Sequence, residues 1–116
     1  MTETAETVAT AIAAAHAAQP VWAAQTAMQR SEALDRIGSE LLARRAELAD
    51  LLAREEGKAL SDASGEVLRA AHIFKFFAGE ALRVGGELIG STRPNMSVEI
   101  CREPVGVVTI ITPWNF

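Results

Sequence analysis

An α/β protein built around a parallel sheet is the fold class this sequence predicts, and three observations carry it. Val105-Gly106-Val107-Val108-Thr109-Ile110-Ile111 is β-branched and apolar on both faces, as a central parallel strand reads when helices cover both sides of its sheet. Before it lie helix-period stretches punctuated by proline and glycine. Between helices and strand, Ser97 to Glu103 alternates in the manner of a half-exposed strand. A parallel strand needs parallel neighbours, each reached through a crossover of about a dozen residues or more, and none follows Phe116. The expectation is an N-terminal fragment of a larger α/β protein, cut at the first strand of its main sheet. Its parts are a helical region over 1–86, a strand segment over 87–104, and a strand with its corner over 105–116.

Residues 7 to about 18 predict an Ala-rich helix with Val8, Ile12 and Ala15 on one stripe, either Thr4 or Thr7 as N-cap, and Pro20 as the stop. A second helical stretch starts near Ser31, with Leu34, Ile37, Leu41, Leu48 and Leu52 in register. Arg45 occupies the skipped position, which fits two helices broken near 43–46, and Gly57 is a natural C-terminal stop. Asp62 or Ser64 is placed to cap a third stretch running to about Val84, where Val67, Ala71, Phe74 and Ala78 share a face that Ile73 and Phe77 widen. Gly85-Gly86 ends it. Glu87 to Gly90 is short enough for one small strand, Arg93-Pro94-Asn95 reads as a turn, and Pro104 separates the alternating strand from the apolar one.

Composition excludes several function classes. Eleven Lys and Arg against 15 Asp and Glu give a net charge of −4, and the basic residues are interspersed with acids, so there is no footprint for nucleic acid. The apolar run Val8 to Ala18 is preceded by Glu3 and Glu6 without Lys or Arg, unlike a signal peptide. It is also too short to span a bilayer. One cysteine excludes an internal disulfide framework and fits a reducing cytoplasm.

Most candidate sites fail on spacing. A phosphate loop around Glu56-Gly57-Lys58 would need a glycine where Leu52 stands and Ser or Thr where Ala59 stands, so Lys58 reads as structural or surface. Gly85, Gly86 and Gly90 miss the dinucleotide fingerprint because Glu87 occupies its second glycine. His16 and His72 have no second ligand at metal spacing, and no metal is expected. Cys101 lies in the alternating strand beside Glu99 and Glu103, whose negative charges work against a thiolate nucleophile. What remains is the corner Ile111-Thr112-Pro113-Trp114-Asn115-Phe116, where Pro113 forces the chain out of the strand. Open α/β sheets bind ligands at that edge. The Asn115 amide can offer N–H donors to an oxyanion without titrating, or make a turn bond to nearby backbone.

The segment from Glu103 to Phe116 resembles the part of the aldehyde dehydrogenase superfamily that ends in its Pro-Trp-Asn-Phe signature. Glu56-Gly57-Lys58, Gly65-Glu66-Val67, Phe76-Phe77-Ala78-Gly79-Glu80-Ala81 and Gly85-Gly86-Glu87 follow the order of that family's N-terminal region, so the resemblance covers about Val8 to Phe116. Arg83-Val84-Gly85-Gly86-Glu87, Ser91-Thr92-Arg93-Pro94 and Arg102-Glu103-Pro104 are most similar to bacterial enzymes acting on α-ketoglutaric semialdehyde.

The resemblance implies a helical part of a cofactor-binding domain, an oligomerisation-type strand, and the first strand of a Rossmann-like parallel sheet. It implies NAD- or NADP-dependent oxidation of an aldehyde to an acid by a cytoplasmic homodimer or homotetramer. Asn115 would stabilise the oxyanion, and Ile111, Thr112, Pro113 and Trp114 would line the dinucleotide cleft. The family's catalytic cysteine and glutamate lie downstream of this chain, so the 116 residues alone are expected to be inactive. The competing reading is a non-enzymatic helical interaction module derived from a dehydrogenase.

Overall fold

Residues 4–113 are described by the computed structural model. In order they form α1 (Ala5–Ala23), α2 (Ala27–Ala43), α3 (Arg45–Glu56), α4 (Leu60–Ala81), β1 (Glu87–Gly90) and β2 (Ser97–Ile100). Thr26–Val84 is one compact unit; Met1–Gln25 with Gly85–Phe116 is the other.

In the helical unit, α2 begins four residues before the expected Ser31. Thr26 caps it in a reciprocal box: Gln29 N donates to Thr26 Oγ1 at 3.2 Å, and Thr26 N donates to Gln29 Oε1 at 2.9 Å. Two of the orphan amides of the first turn are thereby satisfied. The break expected near 43–46 falls at Arg44, between α2 and α3. Gly57 ends α3 in the left-handed region, at φ 74°, with its N–H returned to Ala53 O at 2.9 Å, a conformation that glycine adopts without steric penalty.

The caps expected for α4 are corrected. Ala59, in extended conformation, precedes the helix without a side-chain bond, and Asp62 lies inside the first turn, where its charge complements the helix dipole instead. At the other end α4 stops at Ala81, short of Val84, as Arg83 N and Leu82 N fold back onto Glu80 O and Gly79 O. Such i→i−3 bonds tighten and close a last turn.

The core of this unit consists of small residues. Ala63, Val67, Ala71 and Ala78 are the buried face of α4, Ala49 is buried from α3, and Leu48, Leu52 and Ala53 pack against Ala49, Ala63 and Val67. Phe74, expected on that face, is only half-buried, while Ile73 and Phe77 are exposed. Small side chains let helices approach closely, and Gly38 is the buried residue of α2. Polar bonds join the helices at the edges. Lys75 Nζ donates to Asp35 Oδ1 at 2.8 Å and Ser39 Oγ at 2.9 Å, tying α4 to α2, and Arg45 Nε donates to Ser64 O at 3.0 Å, tying α3 to α4.

In the other unit, Thr4 is the N-cap of α1: Thr7 N donates to Thr4 Oγ1 at 3.2 Å and Thr4 N to Thr7 Oγ1 at 2.9 Å. Pro20 does not end this helix, contrary to expectation. The helix runs on to Ala23, and Ala24 N donates to Pro20 O at 3.1 Å. A proline lacks its own N–H but keeps its carbonyl, so a further turn can still hang from it. Val8 and Ile12, the predicted stripe, are exposed among the described residues.

β1 and β2 form an antiparallel pair with Glu87 opposite Ile100 and Gly90 opposite Ser97. Asn95 takes a positive φ of 62° in the turn, and Ser91 Oγ accepts from Arg93 N at 3.0 Å. β2 ends at Ile100, before the expected Glu103, and all its residues are exposed, so the alternation predicted for a half-buried strand finds no covered face among the described residues.

The largest departure is at 105–111. No strand is formed there; Val105 and Ile111 are each 91% exposed, and Gly106 has φ 97°. A strand exists only through ladder bonds to a neighbour, and among the described residues no neighbour lies alongside. The positive φ also interrupts a regular pleat. The described chain is mostly helical with one two-stranded sheet.

Candidate functional site

The corner singled out by the sequence is described only in part. Ile111, Thr112 and Pro113 are exposed, and no hydrogen bond to another described residue occupies their backbone. Trp114 and Asn115 lie outside the described residues. The structure therefore presents an open, uncharged, mostly apolar edge at 111–113.

Other chemistry-bearing groups are accounted for by structure. Cys101 is free and exposed, just past the end of β2. His72 is exposed on α4 beside Ile73, Phe76 and Phe77. Lys58, read from sequence as structural or surface, is partly buried at the α3–α4 junction and pairs with both Glu56 and Glu66. Hydrogen bonds that Lys58 donates to these two carboxylates, Glu56 foremost, hold its ammonium above its ordinary pKa. At the start of α3, Arg44 binds Glu47 through both its Nε, at 2.9 Å, and its Nη2, at 2.6 Å. This fork holds the Glu47 carboxyl below the usual range and raises Arg44 in turn. All of these charges are satisfied locally and aim at no common point, so they build no acid–base pair.

A cleft of about 560 Å³ lies in the helical unit, floored by Ala33, Ile37, Leu41 and Leu48 and edged by Arg36 and Arg44. No motif or spacing in the sequence points to it, because it depends on how the helices pack. Its lining includes no cysteine, and no described residue of the corner lines it. Among the described residues no helix is long and apolar enough to cross a membrane.

Comparison with known proteins identifies the family of the chain. The family model described as "Aldehyde dehydrogenase family" matches residues 1–116. The chain is 42% identical over 108 residues to an alpha-ketoglutarate semialdehyde dehydrogenase of Haloferax volcanii, covering 93% of this chain and 22% of that relative. It is 40% identical over 106 residues to a succinate semialdehyde dehydrogenase of Acinetobacter baylyi, with 91% and 22% covered. The structure superposes on a betaine aldehyde dehydrogenase of Staphylococcus aureus, solved with NAD+, at a TM-score of 0.85 and 38% identity, over 97% of this chain and 23% of that one. The chain thus spans about a fifth of the length of these relatives. With a family match over its whole length and a shared backbone course, this chain belongs to the aldehyde dehydrogenase family.

Proposed function

We propose that the full-length protein oxidises an aldehyde to the carboxylic acid with NAD or NADP, and that Ile111, Thr112, Pro113, Trp114 and Asn115 are this chain's part of the reacting site. The observation that carries this reading is that the family match extends to residue 116 and so includes the whole corner. The nicotinamide, when bound, accepts the hydride. Ile111, Thr112 and Pro113 suit a place beside it, being exposed and without hydrogen bonds to other described residues. Together with Trp114 they would line the dinucleotide cleft through backbone and shape.

In this chemistry a cysteine thiolate from outside these 116 residues adds to the aldehyde carbon, and the carbonyl π electrons move to oxygen. Asn115 donates its side-chain N–H to that oxyanion. Because the amide is neutral, its donor capacity is the same before and after the charge develops. Cys101, exposed beyond β2, is left outside the reaction.

For the substrate we propose a semialdehyde bearing a second carboxylate, such as α-ketoglutaric semialdehyde. Support comes from the relatives, which include enzymes named for the semialdehydes of α-ketoglutarate, succinate and glutarate. A homodimer or homotetramer in the cytoplasm completes the reading. The two-stranded β1–β2 hairpin is exposed throughout, and exposed strand edges are templates for pairing.

The test is a comparison, on the full-length protein with NAD and NADP, of dicarboxylic semialdehydes with neutral aldehydes of the same length. We expect kcat/KM to favour the anionic substrates by about tenfold or more. Equal values would remove the semialdehyde assignment, and no turnover with any aldehyde would remove the activity.

A further inference from the structure

We draw no further inference here: the strongest candidate, the apolar cleft of about 560 Å³ lined by Ile37 and Leu41 of α2 and Leu48 of α3, is an unpartnered face, and nothing in the structure shows what covers it.

Discussion

Lys75 lies over Gly38 in the contact between α4 and α2: a Cβ at position 38 would stand 2.8 Å from Lys75 Cγ and 3.0 Å from Ala71 O. The same Lys75 reaches on to Asp35 and Ser39 on either side of the glycine, so its stem is held where the added atom would go. The two helices are thus locked by a contact that only a missing side chain permits.

Gly38→Ala in the full-length protein is therefore expected to be destabilising. In an unconstrained helix interior the substitution would stabilise by about 0.5–1 kcal/mol. Here one neighbour is backbone and the other is near the root of a tethered side chain, and overpacking of this kind costs about 1–3 kcal/mol. The net expectation is a lower Tm, and a raised Tm would show that the helices separate without penalty.

The helical unit was legible in sequence where its signals are local. The stop at Gly57 and the break near Arg44 follow from a left-handed cap and a skipped stripe position, and both are found. The Thr26–Gln29 box is equally readable as Thr-x-x-Gln, and this cap, not the apolar stripe beginning at Leu34, sets the start of the helix. The closeness of Gly38 to Lys75 could not be read, because it depends on which helices cross and at which turn. The strand expected at 105–111 rests on a different kind of information. Its apolar pattern states what the segment needs, whereas a ladder also requires a neighbour, and none lies alongside among the described residues. For the site, residue type and order singled out the corner, while the two-carboxylate setting of Lys58 arises from residues on different helices and has no spacing signal.

Lys58 should make a pH-dependent contribution to stability. Its folded pKa is raised, first by Glu56 and then by Glu66, above an unfolded value of about 10.4. Its contribution is fully present below that value and is lost as pH rises through the folded pKa. Lys58→Met in the full-length protein should thus lower Tm at neutral pH, where it leaves two carboxylates facing each other. The gap between native protein and variant should narrow in the alkaline range. A gap that stays constant as far as the protein remains folded would show that the pairs contribute nothing through ionisation.

At the hairpin, two adjacent glycines should respond oppositely. A Cβ at Gly86 would collide with Ile100 O and lie 3.4 Å from Ile100 C, both backbone atoms of the facing strand, whereas at Gly85 nothing lies within 4 Å. Gly86→Ala must push β1 and β2 apart at the Glu87–Ile100 pair, while Gly85→Ala meets no neighbour. Amide hydrogen exchange in the full-length protein should show faster exchange along β2 in Gly86→Ala and near-native protection in Gly85→Ala. Equal protection in the two variants would mean that the close approach is relieved by a small backbone shift.

Asn115→Ala addresses the proposed chemistry most directly. A donor to the developing oxyanion matters more in the transition state than in binding, so kcat in the full-length enzyme should fall by about 10²–10³, or roughly 2.7–4 kcal/mol, with little change in cofactor affinity. An asparagine that only makes a turn would leave a different trace, lowering Tm and sparing kcat in the protein that stays folded. Measuring kcat, NAD(P) affinity and Tm on the same preparation separates the two roles. Near-normal kcat in a folded variant would remove the oxyanion role proposed for Asn115 and assign that contact to some other donor.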